Sequence, residues 1–249
     1  MTDIHSHIIP GVDDGSPDLV SSLEMLSMAA DSGVRRIAAT SHCNIPGMFS
    51  NYADLELLGR LNRLKEAAAT EKIPIEIFQG MEVYSTEDMA DLIRGKRVWT
   101  LNGTRYFLME FAFDEEPAFC EEILTDVKAC GLKPVIAHPE RYFFIQDEPQ
   151  IAFEWCTTGC ILQLNKGSIL GRFGAGPERT ADALLRHGLA ACVASDAHSP
   201  HARTTDMQEV RQYLRRIYGD DYMRLLLEEN PARILKGQGL FGYEPQPFM

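Results

Sequence analysis

Nine side chains stand out as ligands for divalent cations: His5, His7, Asp14, His42, Glu82, Glu110, His138, Asp196 and His198. Five are imidazoles and four are carboxylates, and none is a thiolate. That mixture suits Mn²⁺, Fe²⁺ or Zn²⁺, and oxygen-rich sharing of carboxylates between ions favours Mn²⁺ or iron. A lone His or Glu is ordinarily a hydrogen-bonded or solvated side chain, so the joint pattern has to carry the reading. His5 and His7 lie two apart on an extended segment and so face the same side. Four carboxylates gathered in one pocket repel each other strongly unless cations sit between them. Clustered ions lower the pKa of a bridging water and stabilise both oxygens of an in-line displacement at phosphorus. No protein nucleophile is then required.

Phosphate chemistry also needs fixed positive charge. Arg141 stands three residues after His138 and Arg203 five after His198. Their planar guanidinium groups match phosphate oxygens as lysine cannot. A cysteine-dependent phosphatase instead needs an arginine six residues beyond a thiolate. The positions six beyond Cys43, Cys120, Cys130, Cys156, Cys160 and Cys192 hold Phe49, Asp126, Ile136, Leu162, Lys166 and His198. Residues 171–176 (GRFGAG) are glycine-rich but lack the Lys-Ser/Thr of a P-loop, and they read as a loop beside the site. Asn165 and Lys166 either line the pocket or belong to a solvated loop. His187 reads as a helix-end residue, and His201 as a surface loop residue or a minor contributor.

These residues must be placed by a scaffold. Short β-branched and apolar runs at residues 3–5, 36–40, 75–79, 105–111, 134–137, 161–164 and 190–194 read as seven strands. Amphipathic segments alternate with them, the pattern of parallel strands joined by crossover helices. Ser16-Pro17 reads as a cap and first helical residue, with Leu19, Leu23, Leu26 and Met28 following and Gly33 as the stop. Residues 52–70 carry Leu55, Leu58, Leu61 and Leu64 as a core stripe. Further helices are expected at 117–130, 148–156, 177–187 and 206–218. Six of the seven strands deliver a ligand-type residue at or near the carboxyl end, where parallel α/β folds bind ligands. Periodicity alone leaves open a barrel or an open doubly wound sheet.

Composition narrows the class. The 249 residues contain 24 Lys plus Arg and 36 Asp plus Glu, a net charge of −12, which argues against a broad basic face for nucleic acid. Hydrophobic residues at 45% supply a full core, and no linker or repeat divides the chain, so one domain over 1–249 is expected. No apolar run is long enough to span a bilayer, and Asp3 and His5 fall where a signal peptide would be basic and then apolar. Six scattered cysteines in a chain of this length suggest reduced thiols and a cytoplasmic location.

In order along the chain, DIHSHIIPGVDDGS, ATSHCN, GMEVY, FLMEFAF, PVIAHPERY, LQLNKGSI and VASDAH resemble the polymerase and histidinol phosphatase (PHP) superfamily. The resemblance runs from Asp3 to about Gly237 and is nearest to the bacterial manganese-dependent protein tyrosine phosphatases associated with capsule and exopolysaccharide synthesis. It implies a single-domain distorted (β/α)7 barrel and a centre of three metal ions held by the nine residues. It also implies phosphate-contacting roles for Arg141 and Arg203, and a phosphotyrosine protein substrate, namely the Tyr-rich tail of an autophosphorylated bacterial tyrosine kinase. The segment Ser41-His42-Cys43-Asn44 departs from relatives that have Pro before the His, although the His itself is retained. The alternative within the superfamily is a small-molecule phosphatase such as a histidinol-phosphate phosphatase.

Overall fold

The computed structural model describes residues 1–242 and 245–248; the parts of the expected 1–249 domain at positions 243, 244 and 249 lie outside the described residues. Among the described residues nine short strands run in parallel: β1 (Thr2–Asp3), β2 (Arg36–Ala39), β3 (His42–Cys43), β4 (Glu76–Gln79), β5 (Glu82–Tyr84), β6 (Tyr106–Glu110), β7 (Lys133–Ala137), β8 (Ile161–Asn165) and β9 (Ala190–Ala194). They form a sheet of order β1-β2-β4 and a sheet of order β3-β5-β6-β7-β8-β9. Each of the seven expected strands is present, but β3 and β5 are additional. Each follows its predecessor after a two-residue break, at Thr40-Ser41 and at Gly80-Met81.

The breaks have a packing cause. A Cβ on Gly80 would stand 2.8 Å from Thr40 Cγ2 and 3.0 Å from Leu101 Cδ2, so only glycine permits this approach. Thr40 is in turn tied to Ser6: its N–H donates to Ser6 O at 2.8 Å, and its Oγ1 accepts from Ser6 N at 2.9 Å. Ser6 also forms a parallel bridge with Ala197 beyond β9. The residue between His5 and His7 thus joins the end of β1 to both β2 and β9.

Helices cover the sheets: α1 (Leu19–Asp31), α2 (Leu55–Thr70), α3 (Met89–Arg94), α4 (Pro117–Ala129), α5 (Phe143–Asp147), α6 (Gln150–Thr157), α7 (Lys166–Ile169), α8 (Ala175–Arg186) and α9 (Gln208–Tyr218). A C-terminal run, α10 (Asp220–Arg224), a π turn (Leu225–Glu229) and α11 (Asn230–Leu235), was not anticipated from the sequence. Strands β6, β8 and β9 are buried along their whole length, as central parallel strands are, whereas β4 leaves Glu76 exposed. One face meets the helices. The other forms a second apolar cluster that mixes Ala38, Ala137, Ala191 and Ala194 with larger Ile4, Tyr106 and Leu108, completed by Ile234 and Leu235 of α11.

Several local expectations are corrected. The cap of α1 is Asp18, whose side chain accepts from Ser21 N at 2.8 Å, while Ser16 Oγ donates to Asp18 O. The buried face of α1 is accordingly Ser22, Met25, Leu26, Ala29 and Ala30. Asp54 caps α2 and fixes a stripe of Leu57, Leu61, Leu64 and Ala68, leaving the expected core residue Leu55 86% exposed. Helix α8 starts at Ala175 rather than at Pro177, so the end of the GRFGAG run is helical. Among the described residues no helix is long and apolar enough to cross a membrane.

Candidate metal centre

All nine candidate ligands converge at the carboxyl ends of the strands, and the geometry begins with His5 and His7. Asp3 is fully buried and its Oδ1 accepts from His5 N and Ser195 N, pinning the backbone that enters the site. Burial pushes the Asp3 carboxyl pKa up. Gln163 donates its amide N–H to Leu164 O, so its Oε1 faces His5 Nδ1 at 2.7 Å. The His5 proton therefore belongs on Nδ1, and the Nε2 lone pair points inward. His7 is set in the same way by Asp13, whose Oδ2 lies 2.8 Å from His7 Nδ1. The two Nε2 atoms stand 3.3 Å apart. Two lone pairs aimed at one another at that distance require a proton or a cation between them.

Glu82, on β5, is the hub. Its Oε2 lies 3.1 Å from His5 Nε2, 3.2 Å from His7 Nε2 and 3.1 Å from His42 Nδ1. Its Oε1 lies 2.9 Å from His138 Nε2. Asp196 Oδ1 sits 3.4 Å from both His5 Nε2 and His7 Nε2. Glu110, ending β6, reaches His42 Nδ1 at 3.0 Å. Asp14, 52% exposed, closes the open side at 3.6 Å from His42 Nε2 and 3.5 Å from His198 Nε2.

Donor atoms fall into three groups, each within 4.8 Å: His7, Asp14, His42 and His198; His5, His7, Glu82 and Asp196; and His42, Glu82 and Glu110. His138 stands outside these groups but within reach of Glu82 and Glu110. Glu82 Oε2, Asp196 Oδ1, His42 Nδ1 and His198 Nε2 are buried without a hydrogen bond of acceptable geometry. Buried polar atoms are nearly always satisfied, so four orphans converging on one spot fit divalent cations.

Electrostatics carry the same signature. Burial opposes charge on His5, yet the Glu82 and Asp196 carboxylates raise its pKa to about 9. Burial likewise opposes charge on Glu82 and Asp196, but the surrounding histidines hold both well below the usual carboxylate range. His198 is lowered by burial and by the neighbouring His7. His138 (φ +39°) and Asp196 (φ +49°) adopt left-handed backbone, strain of a kind that gathers at functional sites.

Arg141 lies on a turn (Pro139–Arg141) directly after His138. Its Nη1 is 3.7 Å from Asp196 Oδ2, and Arg203 Nη2 donates to the same oxygen at 2.6 Å. Asp196 thus turns one oxygen to the histidines and the other to the arginines. At 19% and 32% side-chain exposure, neither arginine is a freely solvated group. Cys43 and Cys192 are fully buried, and burial pushes the Cys43 thiol up to about 12 and Cys192 up as well, so neither is a ready thiolate.

Two supports, Asp13 and Gln163, carried no signal in the sequence, and Asn165 takes up the pocket-lining alternative. Asp13 holds His7, accepts from His42 N at 2.8 Å and from Gly15 N at 3.0 Å. Gly15 makes this possible, since a Cβ there would stand 2.4 Å from His7 Cβ. Gln163 orients His5, and Asn165 donates to Asp196 Oδ2 at 2.6 Å. Asn165 and Lys166 are buried, which overturns the solvated-loop reading: Lys166 Nζ donates to Thr204 O and Asp206 O behind Arg203. His187 is the C-cap of α8, and exposed His201 lines a cavity of about 330 Å³ beside Arg203 and Phe173.

Fold and site together define a parallel α/β protein that presents a histidine and carboxylate cluster at its strand ends. The chain belongs to the family described as "Capsular polysaccharide synthesis, CpsB/CapC", which matches residues 1–236. It is 33% identical to the tyrosine-protein phosphatase YwqE of Bacillus subtilis, over 99% of this chain and 96% of that protein. It is also 33% identical to the tyrosine-protein phosphatase CpsB of Streptococcus agalactiae, over 95% of this chain and 98% of that one. A crystal structure from work on YwqE of Bacillus subtilis and CpsB of Streptococcus pneumoniae, described as unique metal-dependent tyrosine phosphatases, superposes with a TM-score of 0.92 at 33% identity, covering 100% of both chains.

Proposed function

We propose that this chain is a metal-dependent protein tyrosine phosphatase of capsule or exopolysaccharide synthesis. The observation that carries the reading is the triple grouping of donor atoms, in which each pair of groups shares one residue: His7, His42 or Glu82. Three adjoining ions are the natural complement, with Mn²⁺ proposed first and iron or zinc after it. His5, His7, Asp14, His42, Glu82, Glu110, His138, Asp196 and His198 would hold them. Bound ions supply Lewis acidity and an activated water for attack at phosphorus.

The chain's own residues do the rest. Gln163 and Asp13 keep both Nε2 lone pairs aimed inward. Arg141 and Arg203 stand on the outer side of Asp196, placed to grip phosphoryl oxygens as negative charge builds. A phenolate leaving group, with a pKa of about 10, depends less on a general acid than an alkyl alcohol does. The family resemblance supports the phosphorylated tail of a bacterial tyrosine kinase as substrate, and the scattered cysteines support a cytoplasmic site of action. We further infer a seven-stranded barrel, with β2 and β3 counted as one interrupted strand, β4 and β5 as another, and the Ser6–Ala197 bridge at the seam.

The test is a substrate screen with metal content measured on each sample. Phosphotyrosine peptides should be turned over well above phosphoserine peptides and histidinol phosphate, and chelation should abolish turnover. Preference for histidinol phosphate would assign the chain to the small-molecule branch.

A further inference from the structure

Resting on the reading of Arg141 as a phosphate contact, we propose that Phe113 and Phe173 are positioning residues that fix the plane of its guanidinium. Arg141 Cζ lies over both rings at once, 4.3 Å from the Phe113 centroid and 4.6 Å from that of Phe173. Arg203 shares the second ring at 6.0 Å. Each phenylalanine is itself held. Phe113 stands edge-on to His138 at 6.0 Å, and its carbonyl accepts from Phe143 N. Phe173 packs on Gly167, where a Cβ would stand 2.6 Å from its Cε2, so the absence of a side chain there makes room for the ring. The chain on either side is fixed by Arg172 N donating to Gly167 O and Gly174 N to Gly171 O. The glycine-rich run therefore acts as a mount for one aromatic ring.

The chemistry explains why phenylalanine serves here. A bidentate grip on phosphate demands a guanidinium plane held in one orientation. A carboxylate could hold it, but would neutralise its charge and compete with the phosphate. Aromatic faces attract the cation through the ring quadrupole and take up none of its N–H donors. The carboxylate oxygen nearest to hand, Asp196 Oδ2, stands 3.7 Å from Arg141 Nη1, outside hydrogen-bond distance, whereas Arg203 is bonded to it. Arg141 is thus held in place and still has its donors to offer.

The experiment uses the full metal-loaded chain, with phenyl phosphate for turnover and orthophosphate for calorimetric binding. Phe173→Leu should raise both the KM and the orthophosphate Kd by about three- to tenfold, the range one such contact supplies, while leaving bound metal and melting temperature unchanged. Phe173→Tyr keeps the ring and should stay within about twofold of the parent. In an Arg141→Ala background, Phe173→Leu should add little, because the arginine it positions is gone. Unchanged orthophosphate affinity in Phe173→Leu, or a loss that adds in full to that of Arg141→Ala, overturns the clamp alone. Loss of metal in Phe173→Leu overturns it in favour of a structural role. No effect of Arg141→Ala by itself overturns the phosphate reading of Arg141, and the clamp with it.

Discussion

Asp13→Asn should weaken metal binding although Asp13 is not among the proposed ligands. The carboxylate of Asp13 accepts from His42 N at 2.8 Å and Gly15 N at 3.0 Å and faces His7 Nδ1 at 2.8 Å. All three partners are donors when His7 presents its Nε2 lone pair to the cluster. An asparagine has one acceptor and one NH₂ to divide among them. If the NH₂ faces Gly15, it opposes one N–H. If it faces His7, the ring must accept at Nδ1 and move its proton to Nε2, the atom proposed to bind metal. Changes to groups that orient a ligand histidine typically cost about 10–100-fold in metal affinity, or about 1.4–2.7 kcal/mol. Titration of the chelated protein with Mn²⁺ by calorimetry reads this directly, with circular dichroism to check the fold. Unchanged affinity in a folded variant would refute the argument that Asp13 sets the His7 tautomer.

Further outcomes follow from the same geometry. His5 is raised to about 9 in the metal-free cluster, against about 6.5 in the unfolded chain, so its protonation stabilises the metal-free fold fully below pH about 6.5 and loses that effect as pH rises through about 9. Metal must displace that proton, so the Mn²⁺ affinity should climb across the same window; an affinity flat from pH 6.5 to 9 would argue against His5 as a ligand. Cys43→Ser and Cys192→Ser, singly and together, should leave most of the turnover, since both thiols are buried with raised pKa. A loss of several orders of magnitude in metal-replete protein would restore a thiolate nucleophile.

How much of this was readable beforehand depends on what kind of information each feature needs. Eight of the candidate ligands were legible because residue type coincides with a place at or near an expected strand end, and Asp14 joined them from the loop after the first strand. Asp13 was not, because Asp13 and Asp14 are the same residue type side by side, and only the turn permitted by Gly15 decides which of them faces inward. Gln163 lies in a strand buried along its length, where an amide gives no sign of what it contacts. The breaks that create β3 and β5 rest on two- and three-residue strands, too short for periodicity to register. Helix α2 misled differently. Leu55, Leu57, Leu58, Leu61 and Leu64 support more than one stripe, and the Asp54 cap selects the one that leaves Leu55 in solvent. The C-terminal helices follow one another through a π turn, with Pro231 in the first turn of α11, and the changed period and the proline disguise the helical pattern.

The central claim is that divalent ions held by the strand-end cluster carry out phosphotyrosine hydrolysis. Metal content per chain, measured by elemental analysis alongside phosphotyrosine-peptide turnover during chelation and stepwise Mn²⁺ reloading, tests it most directly. Turnover should vanish as the ions leave and return as they rebind, saturating at three per chain, the number of donor groups in the cluster. Full turnover in protein stripped of metal, or reloading that restores the ions without the activity, would contradict the account.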